Sequence, residues 1–161
     1  MFRKLLTTRS MCISAVIGAL YAALTLLLAP ISYGSIQLRI SEALTLLPML
    51  LPQAIPGLFV GCLVANLFSP MVTLWDIIFG SLATLLAAVG TYSFRKSPLL
   101  AAACPVIANG VIVGLVLAFS FHLPIPVTMA QVAMGETGAV IIGFVLLSTL
   151  KKTKIDLSRL N

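Results

Sequence analysis

The sequence predicts an all-α integral membrane protein, a six-transmembrane-helix bundle forming one domain over residues 1–161 with both termini cytoplasmic. Three observations predict it. The 161 residues are 60 % hydrophobic and only 9 % charged, against roughly 25 % charged in ordinary soluble domains. Five stretches, 10–38, 43–75, 77–94, 97–135 and 137–150, contain no Asp, Glu, Lys or Arg, and apolar runs of that length read as membrane spans. The cations behind the formal charge of +6 sit at the edges of those runs. They form no basic stripe with interleaved aromatics, so they signal topology and no nucleic-acid partner is expected.

Each span follows from the chain in order. Arg3, Lys4 and Arg9 precede the apolar stretch 10–29, which exceeds the 7–15 or so apolar residues of a signal peptide and is followed by equally apolar sequence; it is expected to remain as the first span. Pro30 ends it, and residues 31–40 form a more polar connection carrying Arg39. Residues 41–69 are apolar but broken by Pro48, Pro52 and Pro56, which allows one kinked span or two short ones. With one span and the amino terminus inside, Arg95, Lys96, Lys151, Lys152, Lys154 and Arg159 all fall outside. With two, 41–52 and 54–69, nine of the ten Lys and Arg lie inside, as the positive-inside rule requires. The second span is then about 12 residues, roughly 18 Å of α-helix against a hydrocarbon layer of about 30 Å, so it must tilt or draw the adjoining loop into the membrane. The remaining spans are 74–94, 98–120 and 127–150.

This topology places the polar residues by depth. Arg39 and Glu42 stand at the outer start of span two, Asn66 near the outer end of span three, and Trp75 and Asp76 at the outer start of span four. Asn109 falls near the middle of span five, Gln131 in the outer part of span six and Glu136 toward its middle. Charges at such depth are expensive and are retained to face a cavity, a partner or a substrate. Five helices contributing polar side chains on the outer side point to one convergent, outward-opening pocket of the kind that binds a small molecule. The plainer alternative is an ion pair between Arg39 and Glu42, three residues apart, with Asp76 and Glu136 near an interface or bonded to backbone.

Other features bear on what the chain can and cannot do. Ala15, Ala19 and Ala23 recur every fourth residue in span one, a ridge where another helix can approach closely, and Gly57/Gly61 and Gly110/Gly114 are further small pairs at that spacing. On periodicity alone, internal packing and an intermolecular contact both remain open. Cys12, Cys62 and Cys104 lie in three different runs without C-x-x-C spacing, so they read as small hydrophobes, not a disulfide framework or a zinc site. There is no phosphate-binding loop with which to use ATP. The sole histidine, His122, leaves few parts for a Ser–His dyad or a His-rich metal site. An enzyme is not expected, nor a cofactor. A self-sufficient secondary transporter stays open, although six spans without duplicated halves would need to oligomerise.

The stretches Ile36-Gln37-Leu38-Arg39-Ile40-Ser41-Glu42-Ala43-Leu44-Thr45-Leu46-Leu47-Pro48, Ala54-Ile55-Pro56-Gly57, Asp76-Ile77-Ile78-Phe79-Gly80-Ser81-Leu82-Ala83-Thr84-Leu85 and the segment Pro105–Gly114 around Asn109 resemble the queuosine-precursor transporter family, QueT. These are substrate-binding S-components of energy-coupling factor (ECF) transporters. The resemblance spans nearly the whole chain, and the alanine ridge is similar to the A-x-x-x-A contact of many S-components. It implies a six-helix protein of the prokaryotic plasma membrane that captures a micronutrient from outside and delivers it by toppling against a module of one transmembrane scaffold and two ATPases. It implies Ala15, Ala19 and Ala23 as the contact with that module and a 7-deazaguanine as ligand. A carboxylate can accept the paired N–H donors of its guanine-like edge, Asn and Gln can serve the ring carbonyl and nitrogens, Trp75 can stack on the heterocycle, and a second carboxylate can neutralise an aminomethyl arm. Another small heterocyclic vitamin is the alternative ligand.

Overall fold

The computed structural model describes residues 7–33, 37–69 and 73–152. Among these every regular element is a helix, and there is no strand. Arg3, Lys4, Lys154 and Arg159, four of the cations in the charge count, lie outside the described residues, as do positions 34–36 of the first connection. Helix α1 is Thr8–Leu27, opened by Thr7, whose hydroxyl accepts the Ser10 N–H at 3.3 Å and so satisfies one of the free donors of the first turn. A single turn, α2 (Ala29–Ser32), follows with Pro30 near its start, where a missing N–H costs nothing. Then come α3 (Ile40–Met49), α4 (Ala54–Leu67), α5 (Asp76–Ser93), α6 (Pro98–Phe121) and α7 (Ile125–Lys152). Helices α1, α5, α6 and α7 are long and apolar enough to cross a membrane, while α3 and α4 are shorter apolar helices.

The short α3 is the centre of the bundle. Its residues Ser41–Pro48 are all buried, and it packs against α1, α4, α5, α6 and α7. It is wound as a 3₁₀-helix over ten residues, beyond the three or four that such winding usually sustains. At about 2.0 Å per residue it reaches roughly 20 Å, where an α-helix of the same length reaches about 15 Å. The tighter winding thus lengthens a segment whose brevity the sequence left to tilt or loop insertion. It also slims the segment, which lets α7 close on it: a Cβ at Gly143 would lie 2.6 Å from the Ala43 carbonyl oxygen.

The glycine pairs are spent inside the molecule. Gly18 of α1 meets Gly57 and Gly61 of α4 so closely that a Cβ at Gly18 would lie 2.8 Å from the Gly57 carbonyl oxygen, and one at Gly61 2.6 Å from the Gly18 oxygen. Ser14 reinforces this seam by donating to the Gln53 carbonyl at 2.7 Å. Gly110 and Gly114 of α6 take the same role against Ala133 and Met129 of α7. The alanine ridge, by contrast, is outside: Ala15, Ala19 and Ala23 are exposed. All three cysteines are free thiols, with Cys62 buried, Cys104 half-buried and Cys12 exposed.

Candidate functional site

The site is built around the starts of α3 and α5. Glu42 lies in the first turn of α3, only 1 % exposed. The start of that helix is tied to α1 by the Thr25–Ser41 hydroxyl contact of 2.6 Å. The Glu42 Oε1 accepts from the Tyr21 hydroxyl of α1 and from the Thr84 hydroxyl of α5 at 3.3 Å, and its Oε2 has no partner. Thr84 is equally close to the Cys62 sulfur and the Gly80 carbonyl; having one proton, it can serve only one of the three at a time.

Helix α5 opens as a π-turn, Asp76–Gly80, before continuing as α-helix from Ser81. Gly80 leaves room for Asn66 of α4, since a Cβ there would stand 2.9 Å from the Asn66 Nδ2. That nitrogen donates to the Asp76 carbonyl at 3.1 Å, supplying a partner that the wider winding leaves free, while Asn66 Oδ1 has none. Asp76 itself is held by Thr73, whose hydroxyl donates to Oδ2 at 3.0 Å and accepts the Asp76 N–H at 3.1 Å.

Arg39 immediately precedes α3. Its guanidinium carbon lies 5.2 Å from the centroid of the Tyr33 ring, a cation–π distance, and Tyr33 is anchored by donating to the Ala65 carbonyl at 2.8 Å. Arg39 forms no ion pair with Glu42, and its Nε is unpartnered. The plainer account of these two charges as a mutual salt bridge is therefore corrected: the guanidinium is drawn to the Tyr33 face, and the Glu42 carboxylate to hydroxyls on α1 and α5.

Arg39, Asn66 and Asp76 open onto a cavity of about 460 Å³, lined by Tyr33, Gln37, Arg39, Asn66, Ser69, Asp76, Leu117, Phe121, Leu123, Thr128 and Gln131. Its size is that of a small-molecule pocket. Four of the residues singled out from the sequence, Arg39, Asn66, Asp76 and Gln131, share its wall. Three more, Glu42, Asn109 and Glu136, form a buried cluster in which Asn109 stands beside both carboxylates. Asn109 Nδ2 and Glu136 Oε1 have no partner, although each residue is 4 % exposed. Arg39 links the two groups, lining the cavity while its charge acts on Glu42, Asp76 and Glu136.

Trp75 is not brought to the others. It is exposed, stacks on Phe79 with ring centroids 5.8 Å apart, and lines a separate apolar groove with Ile112 and Phe119. Neighbouring residues on a helix point roughly 100° apart, so turning Asp76 inward turns Trp75 out. Tyr21, Tyr33, Cys62, Thr73 and Thr84 were not singled out from the sequence. The signal for Cys62 was its position one helical turn before Asn66, and for Thr84 one turn after Gly80; a lone hydroxyl in an apolar span carries little else.

An apolar helix bundle with four helices long and apolar enough to cross a membrane, and a cavity whose wall carries Asp76, Asn66, Gln131 and Arg39 among apolar residues, has the make-up of a multi-pass membrane protein with a cavity of small-molecule size. The chain belongs to the QueT transporter family, whose family model matches residues 11–152. That family is one of transporters. The queuosine precursor transporter QueT of Lactococcus lactis subsp. cremoris (strain MG1363) is 30 % identical over 160 residues, covering 90 % of this chain and 93 % of that protein. No solved structure matches the chain.

Proposed function

We propose that this protein is the substrate-capture subunit of an ECF-type importer, binding a queuosine precursor of the 7-deazaguanine type from the outer side of a prokaryotic plasma membrane. In this reading the chain crosses six times, α3 and α4 forming the short second and third passages, with both termini cytoplasmic. The subunit topples against a module of one transmembrane scaffold and two ATPases, which supplies the energy for which this chain has no phosphate-binding loop.

The observation that carries the proposal is the cavity together with the unsatisfied polar atoms on its wall and in the buried cluster of Glu42, Asn109 and Glu136. Asn66 Oδ1, Glu42 Oε2 and Glu136 Oε1 are buried acceptors without donors, and Arg39 Nε and Asn109 Nδ2 are donors without acceptors. Buried polar atoms are normally paired, and a flat heterocycle bearing N–H, amine and carbonyl groups offers the complementary set. A guanine-type edge presents two adjacent N–H donors to one carboxylate, while its carbonyl accepts from an amide or from Arg39. The exposure of Ala15, Ala19 and Ala23 supports their role as the contact for the scaffold, because internal helix packing already uses Gly18, Gly57 and Gly61.

The test is equilibrium binding of purified protein to 7-deazaguanines and to a panel of common vitamins, together with uptake into proteoliposomes. The isolated protein is expected to bind a 7-deazaguanine selectively and not to accumulate it. Accumulation by the isolated protein along a proton or sodium gradient would instead establish a self-sufficient secondary transporter.

A further inference from the structure

Two non-glycine residues among those described have a left-handed backbone, Gln37 at φ 49° and His122 at φ 54°. His122 caps the end of α6, where helices commonly close with a left-handed residue. Gln37 ends no helix. It lies in the irregular stretch before α3, the Arg39 N–H donates to its carbonyl at 2.9 Å, and the Leu38 side chain between them lies against Gly138 of α7. The chain doubles back here, since the Arg39 guanidinium returns to the ring of Tyr33, earlier in the same connection.

A left-handed backbone crowds the Cβ against the following carbonyl, so glycine is the residue that adopts it freely. Glutamine at position 37 therefore carries a steric penalty that glycine would remove, and strain of this kind collects at ligand sites. The side chain that brings the penalty stands at such a site: Gln37 lines the cavity, and so does Arg39, whose Nε has no acceptor. The two are chemically unlike. A guanidinium only donates, whereas a primary amide brings two N–H donors and an acceptor oxygen, so the pair suits the edge of a heterocycle on which a carbonyl and N–H groups alternate. Resting on the capture function proposed above, we infer that Gln37 is a ligand-binding residue, its amide sharing the polar edge of the heterocycle with the Arg39 guanidinium. The strained backbone is kept because the side chain it carries is used.

Two substitutions separate the side chain from the backbone. Gln37→Gly removes the amide and relieves the crowding; Gln37→Met removes the amide but keeps the length of the side chain and the crowded Cβ. Full-length wild-type protein and both variants can be titrated calorimetrically in detergent with 7-deazaguanine and melted without ligand. Both variants are expected to bind roughly three- to tenfold more weakly, the scale of one neutral hydrogen bond. Their melts should differ: Gln37→Gly at or above the wild-type midpoint, because relief of the crowding offsets the added freedom of glycine in the unfolded chain, and Gln37→Met no higher than wild type. Affinity falling while stability is kept or gained is the signature of a contact to ligand, which a residue that merely shapes the connection would not give. Wild-type affinity in Gln37→Gly overturns the inference and assigns position 37 to the backbone turn alone. Wild-type affinity in Gln37→Met overturns it in favour of packing by bulk, and a Gln37→Gly protein that loses stability along with affinity overturns it as well; in each case the 7-deazaguanine function stands. Failure of the wild-type protein to bind 7-deazaguanine removes the proposed function and this inference with it.

Discussion

Gly61→Ala tests the seam that sets Tyr21 over the site. The added Cβ would lie 2.6 Å from the Gly18 carbonyl oxygen, 2.9 Å from the Gly18 Cα and 3.0 Å from the Tyr21 Cβ. The two nearest contacts are backbone and cannot rotate away, so α1 must retreat from α4 by about 0.8 Å to restore the 3.4 Å of ordinary contact. Overpacking of this kind costs about 1–3 kcal/mol, and for a chain of this size each kcal/mol lowers the melting midpoint by about 2–4 °C. Because Tyr21 rides on the retreating helix, its hydroxyl is drawn off Glu42, and ligand affinity should fall several-fold with the melting temperature. Thermal melts of the purified protein, paired with ligand titration, measure both. Gly138→Ala is the matched control, since its Cβ would meet only the Leu38 Cδ1 at 2.9 Å, the end of a side chain that can turn. A Gly61→Ala protein melting within a degree of wild type, or a Gly138→Ala protein destabilised as much, would refute the reasoning.

Tyr21→Phe removes a buried donor from Glu42 and should weaken ligand binding by about 1–3 kcal/mol, with a smaller loss of stability; unchanged affinity in a titration would mean that the hydroxyl does not orient the carboxylate. Asp76→Asn keeps the shape of the side chain and removes its charge, so binding should weaken by roughly tenfold, about 1.4 kcal/mol, with little change in the melt. Normal affinity would assign Asp76 to holding the start of α5 through Thr73. Ala19→Trp on the exposed ridge should leave fold and ligand affinity intact and abolish uptake by the assembled importer, measured with radiolabelled ligand; equal loss of binding would move the ridge out of the partner interface. With the exposed Cys12 replaced, a cysteine at position 96 should resist a membrane-impermeant reagent on intact cells and one at position 122 should react, and labelling of position 96 would break the six-crossing topology.

Much of this protein is written along the chain. Whether a segment is apolar depends only on its own residues, so the hydrophobic stretches and the helices that occupy them are legible without any knowledge of neighbours. The polar positions are legible for the same reason: Arg39, Glu42, Asp76 and Glu136 stand out against apolar sequence because a charge buried among apolar residues is costly. Direction and partnership are different. That Asp76 faces the cavity and Trp75 does not depends on the π-turn that sets the rotation of α5, and that Glu42 meets Tyr21 and Thr84 instead of Arg39 depends on how α3 is threaded between α1 and α5. The 3₁₀ winding of α3 has no local signature, because Ile40–Met49 carries no residue that forbids an α-helix before Pro48; closure of α7 at Gly143 onto Ala43 favours the slimmer form. Membership of an apolar run follows from position in the sequence, which hydrophobicity reports residue by residue. Facing follows from helical phase and from the packing of helices distant in the chain, which no single segment contains.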